Sequence, residues 1–248
     1  AVLGRPEPAP ATEPTSWWSI LTTADPSQLL RAMRRPWEAR IGPLVAAALP
    51  AGRVSTDHLV GGIGRLFAAE WSARPLWVNA VRLDDGRRVT FGRDGAPATS
   101  VATAVAASCA IPGYYQPVAI DGVRYVDGGA HSPTNADLLA GEGLDLVLVS
   151  SPMSAGFEVF RPSLDGPRRG FCRLVLRREM ARVRATGTSI LALEPSHEDR
   201  GRMGASALNG ARRHAIIRGA RESVLGGFAD PVRRERLRIL TPSQVGTS

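Results

Sequence analysis

The pattern of apolar and polar positions changes along the chain, and the changes mark its elements. Residues 1–16 are Pro-rich and polar and read as an extended linker or surface loop. From Asp25-Pro26 onward, Leu29, Leu30, Met33 and Trp37 recur at helical spacing, and Pro36 divides the run. A second apolar helix is expected over residues 41–49, stopped by Pro50 and Gly52. A third, capped by Ser55-Thr56-Asp57, carries Leu59, Val60, Ile63, Leu66 and Phe67 on its apolar side.

At Pro75 the texture becomes strand-like. Residues 76–82 and 88–91 flank the turn Asp84-Asp85-Gly86, a hairpin signal. Residues 99–110 are almost all small, so a helix there can lie close against a sheet, and Pro112-Gly113 ends it. Short strands at 118–120 and 123–126 flank the turn Asp121-Gly122, and a short helix is expected over 134–140. Residues 144–150 (LDLVLVS) form a continuous apolar run, the pattern of a strand buried on both faces in a parallel sheet. A Pro/Gly-rich loop (151–170), an Arg-rich helix (173–184), a strand (188–193) and a long helical region (206–225) follow. No internal repeat is evident. Strands mixed with helices predict a layered α/β fold.

Composition narrows this picture only a little. The 248 residues suffice for one large domain or two small ones, and 44% hydrophobic with 22% charged residues is ordinary for a soluble globular chain. The net charge of +8 is less ordinary, and every basic side chain is Arg. Such a surface favours anionic partners. The C-terminal Arg212, Arg213, Arg218, Arg221, Arg233, Arg234, Arg236 and Arg238 read first as a solvated outer face, and second as an attraction to anionic lipid. No nucleic-acid module accompanies them, so no nucleic-acid partner is expected.

Two cysteines and four histidines lack ligand spacing, which argues against a disulfide framework or a zinc site. Cys109, set among alanines, reads as a small buried residue. Trp17, Trp18, Trp37, Trp71 and Trp77 cluster in the first third, more in keeping with ordinary packing than with a lipid-facing cap. No apolar run approaches the roughly 18 residues of a membrane span, and no basic-then-apolar leader pattern is visible. A cytoplasmic chain with peripheral membrane contact is the expectation.

The residue that carries chemistry is Asp127. It follows the strand-like run Val123-Arg124-Tyr125-Val126 and precedes Gly128-Gly129. In α/β sheets, catalytic groups gather just beyond strand ends. Two glycines are expected to allow positive φ and close backbone approach. A carboxylate so placed can act as a general base, although Asp-Gly-Gly also suits an ordinary turn.

The order of elements around it is more specific. Ala107-Ser108-Cys109-Ala110-Ile111-Pro112 leads to Tyr115-Gln116-Pro117-Val118 and then to Asp127-Gly128-Gly129. This series resembles the patatin-like phospholipases, a family of lipid acyl hydrolases. Their A-S-x-A-x-P segment leads to an aromatic-x-P-V stretch and then to D-G-G or D-G-A. The resemblance is strong over residues 75–152 and weaker on either side. It implies a layered α/β/α fold with a mostly parallel central sheet, residues 17–248 forming one domain after the linker. It also implies a Ser–Asp dyad without a catalytic His, with Asp127 as the base, Gly128 and Gly129 as its motif support, and no metal or organic cofactor. The implied substrate is a lipid acyl ester.

The family's nucleophile lies in G-x-S-x-G, a strand-to-helix elbow, and no serine of this chain has that surround. Gly187-Thr188-Ser189-Ile190-Leu191 and Gly204-Ala205-Ser206-Ala207-Leu208 come nearest, but both lack the final Gly and follow the Asp. Ser108 belongs to the helix motif and reads as structural. The expectation is that the first strand, the oxyanion loop and the elbow helix are missing from this chain. It would then be the Asp-bearing part of an acyl hydrolase, inactive by itself. The alternative is a non-catalytic relative that binds lipid or a partner.

Overall fold

The computed structural model describes residues 52–67, 71–154, 165–203 and 212–237. The linker at 1–16, the helices expected over 25–37 and 41–49, and Trp17, Trp18 and Trp37 lie outside them. The chain divides into two compact units, residues 1–131 and 132–248.

In the first unit, helix α1 (Asp57–Gly64) precedes a hairpin of β1 (Val78–Arg82) and β2 (Arg88–Phe91). Helix α2 (Val101–Ser108) and a second hairpin of β3 (Val118–Ile120) and β4 (Val123–Asp127) complete it. The strands form one sheet in the order β2-β1-β4-β3, and every pair is antiparallel. The mostly parallel sheet expected from the sequence is therefore corrected for these strands. Tight turns at Asp85-Gly86 and Asp121-Gly122 join neighbours, and so short a connection permits only antiparallel pairing. Arg82 closes the first turn through Asp84 (2.5 Å) and Asp85 (3.7 Å).

Helix α2 begins where Ser100 accepts a hydrogen bond from the Thr103 N–H. Its Ala104, Ala106 and Ala107 are fully buried and pack with Val78, Ala80, Phe91, Val118, Ile120 and Tyr125. Small side chains let the helix backbone approach the sheet, as expected. Phe91 and Tyr125 meet edge to face at 5.3 Å. Trp71 packs against this core and donates its indole N–H to the Thr99 carbonyl, which is the packing role expected of it. The segment before α1 runs along the second tyrosine of the Tyr114-Tyr115 pair: Val54 N–H donates to the Tyr114 carbonyl and Gln116 N–H to the Val54 carbonyl.

The second unit contains a 3-10 turn (Ala136–Leu139), β5 (Leu146–Ser150), α3 (Asp165–Ala185), β6 (Ser189–Leu193), α4 (His197–Met203), α5 (Arg213–Gly227) and α6 (Pro231–Leu237). Strands β5 and β6 pair in parallel, Val147 opposite Ile190, with α3 as the crossover between them. Val147, Val149, Leu176, Met180, Val183 and Ile190 form the core.

Three expectations are corrected here. Strand β5 is not buried on both faces: Val147 and Val149 are buried but Leu148 is 50% exposed. The helix expected over 134–140 is only a 3-10 turn, because Asn135 sits in the left-handed region at φ 50° and Gly141 follows at φ 83°. The loop 151–170 ends early, since α3 already begins at Asp165 and Pro167 falls in its first turn, where a missing N–H is harmless.

The buried Glu179 of α3 fixes the start of the 3-10 turn. Its carboxylate accepts from the Thr134 hydroxyl (2.5 Å) and the Ala136 N–H (3.1 Å). Replacing it strands the buried Ala136 N–H and the half-buried Thr134 hydroxyl, so Glu179→Ala is expected to lower stability by about 1–3 kcal/mol. Urea unfolding measures this, and an unchanged midpoint would refute the capping role.

Candidate functional site

Asp127 is the last residue of β4, opposite Ala80 of the neighbouring strand. Its N–H donates to the Ala110 carbonyl (3.0 Å), tying the strand end to the segment just after α2. Its side chain caps the 3-10 turn Gly128–Ala130, where Oδ1 accepts from the Gly129 N–H at 2.7 Å. Among the described residues no donor reaches Oδ2. One carboxylate oxygen is thus fixed by the backbone and the other is left to accept.

Burial raises the Asp127 pKa above its ordinary 3.8, and the Gly129 N–H opposes this only in part. A carboxylate with a raised pKa is a stronger base than an exposed one, and that favours proton abstraction near neutral pH.

The two glycines meet the expected close backbone approach at Gly128 but not the expected positive φ. Neither has a positive φ. Gly128 is required by space: a Cβ there would overlap the Asn79 carbonyl oxygen and lie 2.8 Å from its carbon. At Gly129 a Cβ would meet only the Asp127 carboxylate, 3.0 Å away. Asn79 is held in turn, accepting from the Thr90 hydroxyl at 2.8 Å.

Cys109 corrects a second expectation. It caps the C-terminus of α2 with its side chain exposed, whereas the sequence reads as burying it. Partial burial pushes the thiol pKa up, and the nearby Asp127 carboxylate adds to the rise. Burial raises the Tyr115 phenol pKa, with contributions from Tyr114 and Cys109. The Tyr115 hydroxyl lies 3.5 Å from His58 Nε2. Asp127, Cys109, Tyr115 and His58 therefore belong to one unit, with Cys109 electrostatically coupled to Asp127 and to Tyr115. The sequence points to Asp127 and to the Tyr115 motif, but not to His58. That histidine arrives through the Val54–Tyr115 bridge, which no local pattern announces.

The serines weighed as nucleophiles do not gain an elbow. Ser189 opens strand β6 in extended backbone, its N–H donating to the Asp145 carbonyl, so it is not at a strand-to-helix turn. Ser108 is the last residue of α2 and makes no hydrogen bond to Asp127. Ser206 lies outside the described residues. Among the described residues no group of three His, Cys, Asp or Glu side chains is arranged to hold a metal ion, and no helix is long and apolar enough to cross a membrane.

A sequence model of the patatin-like phospholipase family matches residues 3–140, which contain Asp127 and the whole series around it. No curated protein matches the chain.

Proposed function

The chain belongs to the patatin-like phospholipase family, and from that premise we propose that it carries the general base of a lipid acyl hydrolase. Asp127 is that base, and its partner is a serine of a G-x-S-x-G elbow that these 248 residues do not contain. The observation that carries the reading is the state of the Asp127 carboxylate: Oδ1 is fixed by the Gly129 N–H, Oδ2 accepts from no described donor, and the pKa is raised by burial.

The chemistry follows from that state. Asp127 Oδ2 takes the serine proton as the hydroxyl oxygen attacks the ester carbonyl. The proton passes to the departing alkoxide, which leaves as an alcohol, and the acyl group stays on the serine. Water then attacks the acyl-serine while Asp127 accepts its proton, and returning that proton to the serine oxygen releases the fatty acid. No His is needed, because the Asp performs both transfers.

A fluorophosphonate probe tests the reading. The natural full-length protein is expected to label on one serine within a G-x-S-x-G, and the 248-residue chain alone is expected not to label. A full-length protein that has no such motif, or that labels nowhere, establishes the non-catalytic lipid- or partner-binding alternative instead.

A further inference from the structure

Helix α5 (Arg213–Gly227) has two unlike sides. One side docks on α4. Gly219 is buried there, so close to Arg202 that a Cβ would overlap the guanidinium, and the Ser223 hydroxyl lies 3.3 Å from that of Ser196. The start of α4 is itself fixed by a reciprocal cap between Ser196 and Asp199. The one acid of α5, Glu222, is drawn to Arg202 on this side, at 3.6 Å.

At about 100° of turn per residue, Ile217, Arg221 and His214 fall roughly opposite Gly219, with Leu225 and Arg218 continuing that face to one side. All five are exposed, Ile217 by 60% and Leu225 by 53%. Arg213 is exposed at the margin. The outward face therefore alternates cations with bare aliphatic side chains, and the one carboxylate at its margin, the exposed Glu222, lies 3.6 Å from Arg202.

We propose that this face of α5 docks on an anionic lipid surface. The guanidinium groups meet headgroup phosphates, while Ile217 and Leu225 enter the boundary between headgroups and acyl chains. Charge and apolarity together select this occupant. Nucleic acid would engage the arginines and leave both aliphatic side chains in water. A second copy meeting the same face about a two-fold axis would bring two arginine-bearing faces together. The choice of lipid also agrees with the lipid substrate proposed above and rests on that reading to this extent only.

The test is sedimentation of the full chain with phosphatidylcholine vesicles, with and without phosphatidylserine. The wild type is expected to bind the anionic vesicles and not the neutral ones. Arg213→Gln/Arg218→Gln/Arg221→Gln is expected to weaken that binding by about a hundredfold. Ile217→Ser/Leu225→Ser is expected to leave binding that moderate salt abolishes. All five positions are exposed, so both variants should keep the wild-type circular dichroism and melting temperature. Equal binding to neutral vesicles, or undiminished binding by the arginine variant, overturns the proposal. So does a wild-type dimer that the serine variant dissolves, or a duplex DNA affinity that the serine variant retains in full. The assay reads binding without turnover, so anionic-vesicle binding by this chain together with a full-length protein that labels nowhere would remove the proposed function and leave this inference standing.

Discussion

Asp127→Asn is expected to abolish ester turnover in the protein that carries its nucleophile, and to raise the unfolding temperature of the chain at neutral pH. The first half follows from the base role: losing it costs about 10²–10⁴ in kcat. The second follows from burial. The folded state raises the Asp127 pKa above 3.8, so it holds the proton more tightly than the unfolded chain does. The favourable contribution of the protonated carboxyl is fully present below 3.8 and is lost as pH rises through the folded value. At neutral pH the fold thus bears the desolvation of an ionised carboxylate. Asparagine removes that charge while keeping an oxygen for the Gly129 N–H. The stabilisation should therefore appear near pH 7 and vanish below the unfolded pKa. The same shift moves the acid limb of kcat/KM above the ordinary Asp range. Melting curves at two pH values and a pH–rate profile measure both effects. An Asn variant that turns over substrate, or that melts lower than wild type at neutral pH, would sink the assignment.

What the sequence disclosed and what it hid divide along the range of the interactions. The hairpins were legible because Asp-Asp-Gly and Asp-Gly are local turn signals, and both lie where the strands reverse. Helix α2 was legible from its run of small residues. Whether β5 is covered on one face or both was not, because an apolar run such as residues 144–150 looks alike in a strand covered on both faces and in one with an open face. Leu148 marks the difference, and only packing reveals it. In the site, Asp127 was legible through the order of motifs. Cys109 was misjudged because its alanine neighbours are buried. It closes the helix at a point where the chain is already turning outward. His58 could not be found, since its contact with Tyr115 spans 57 positions and depends on one isolated strand bridge.

The two glycines after Asp127 should prove unequal, and the inequality tests whether the site is held by backbone contact. Both have φ values open to any residue, so Ala brings no backbone strain at either. At Gly128 the added methyl overlaps the Asn79 carbonyl, part of the strand that pairs with β4. Neither partner is a flexible side chain, so β4 and β1 must part. Gly128→Ala is expected to lower stability by about 1–3 kcal/mol. By displacing the carboxylate by about 1 Å, it should also reduce kcat/KM by about 10²-fold. At Gly129 the methyl would press only on Asp127 Oδ1, a side-chain atom that can rotate aside. Gly129→Ala should therefore melt close to wild type and keep much of its activity. This contrast gives a physical reason for the D-G-G or D-G-A alternation in the family pattern: the first glycine answers to a backbone and the second to a side chain. Equal losses at both positions, or a milder effect at Gly128, would show that the Asn79 contact does not hold Asp127 in place.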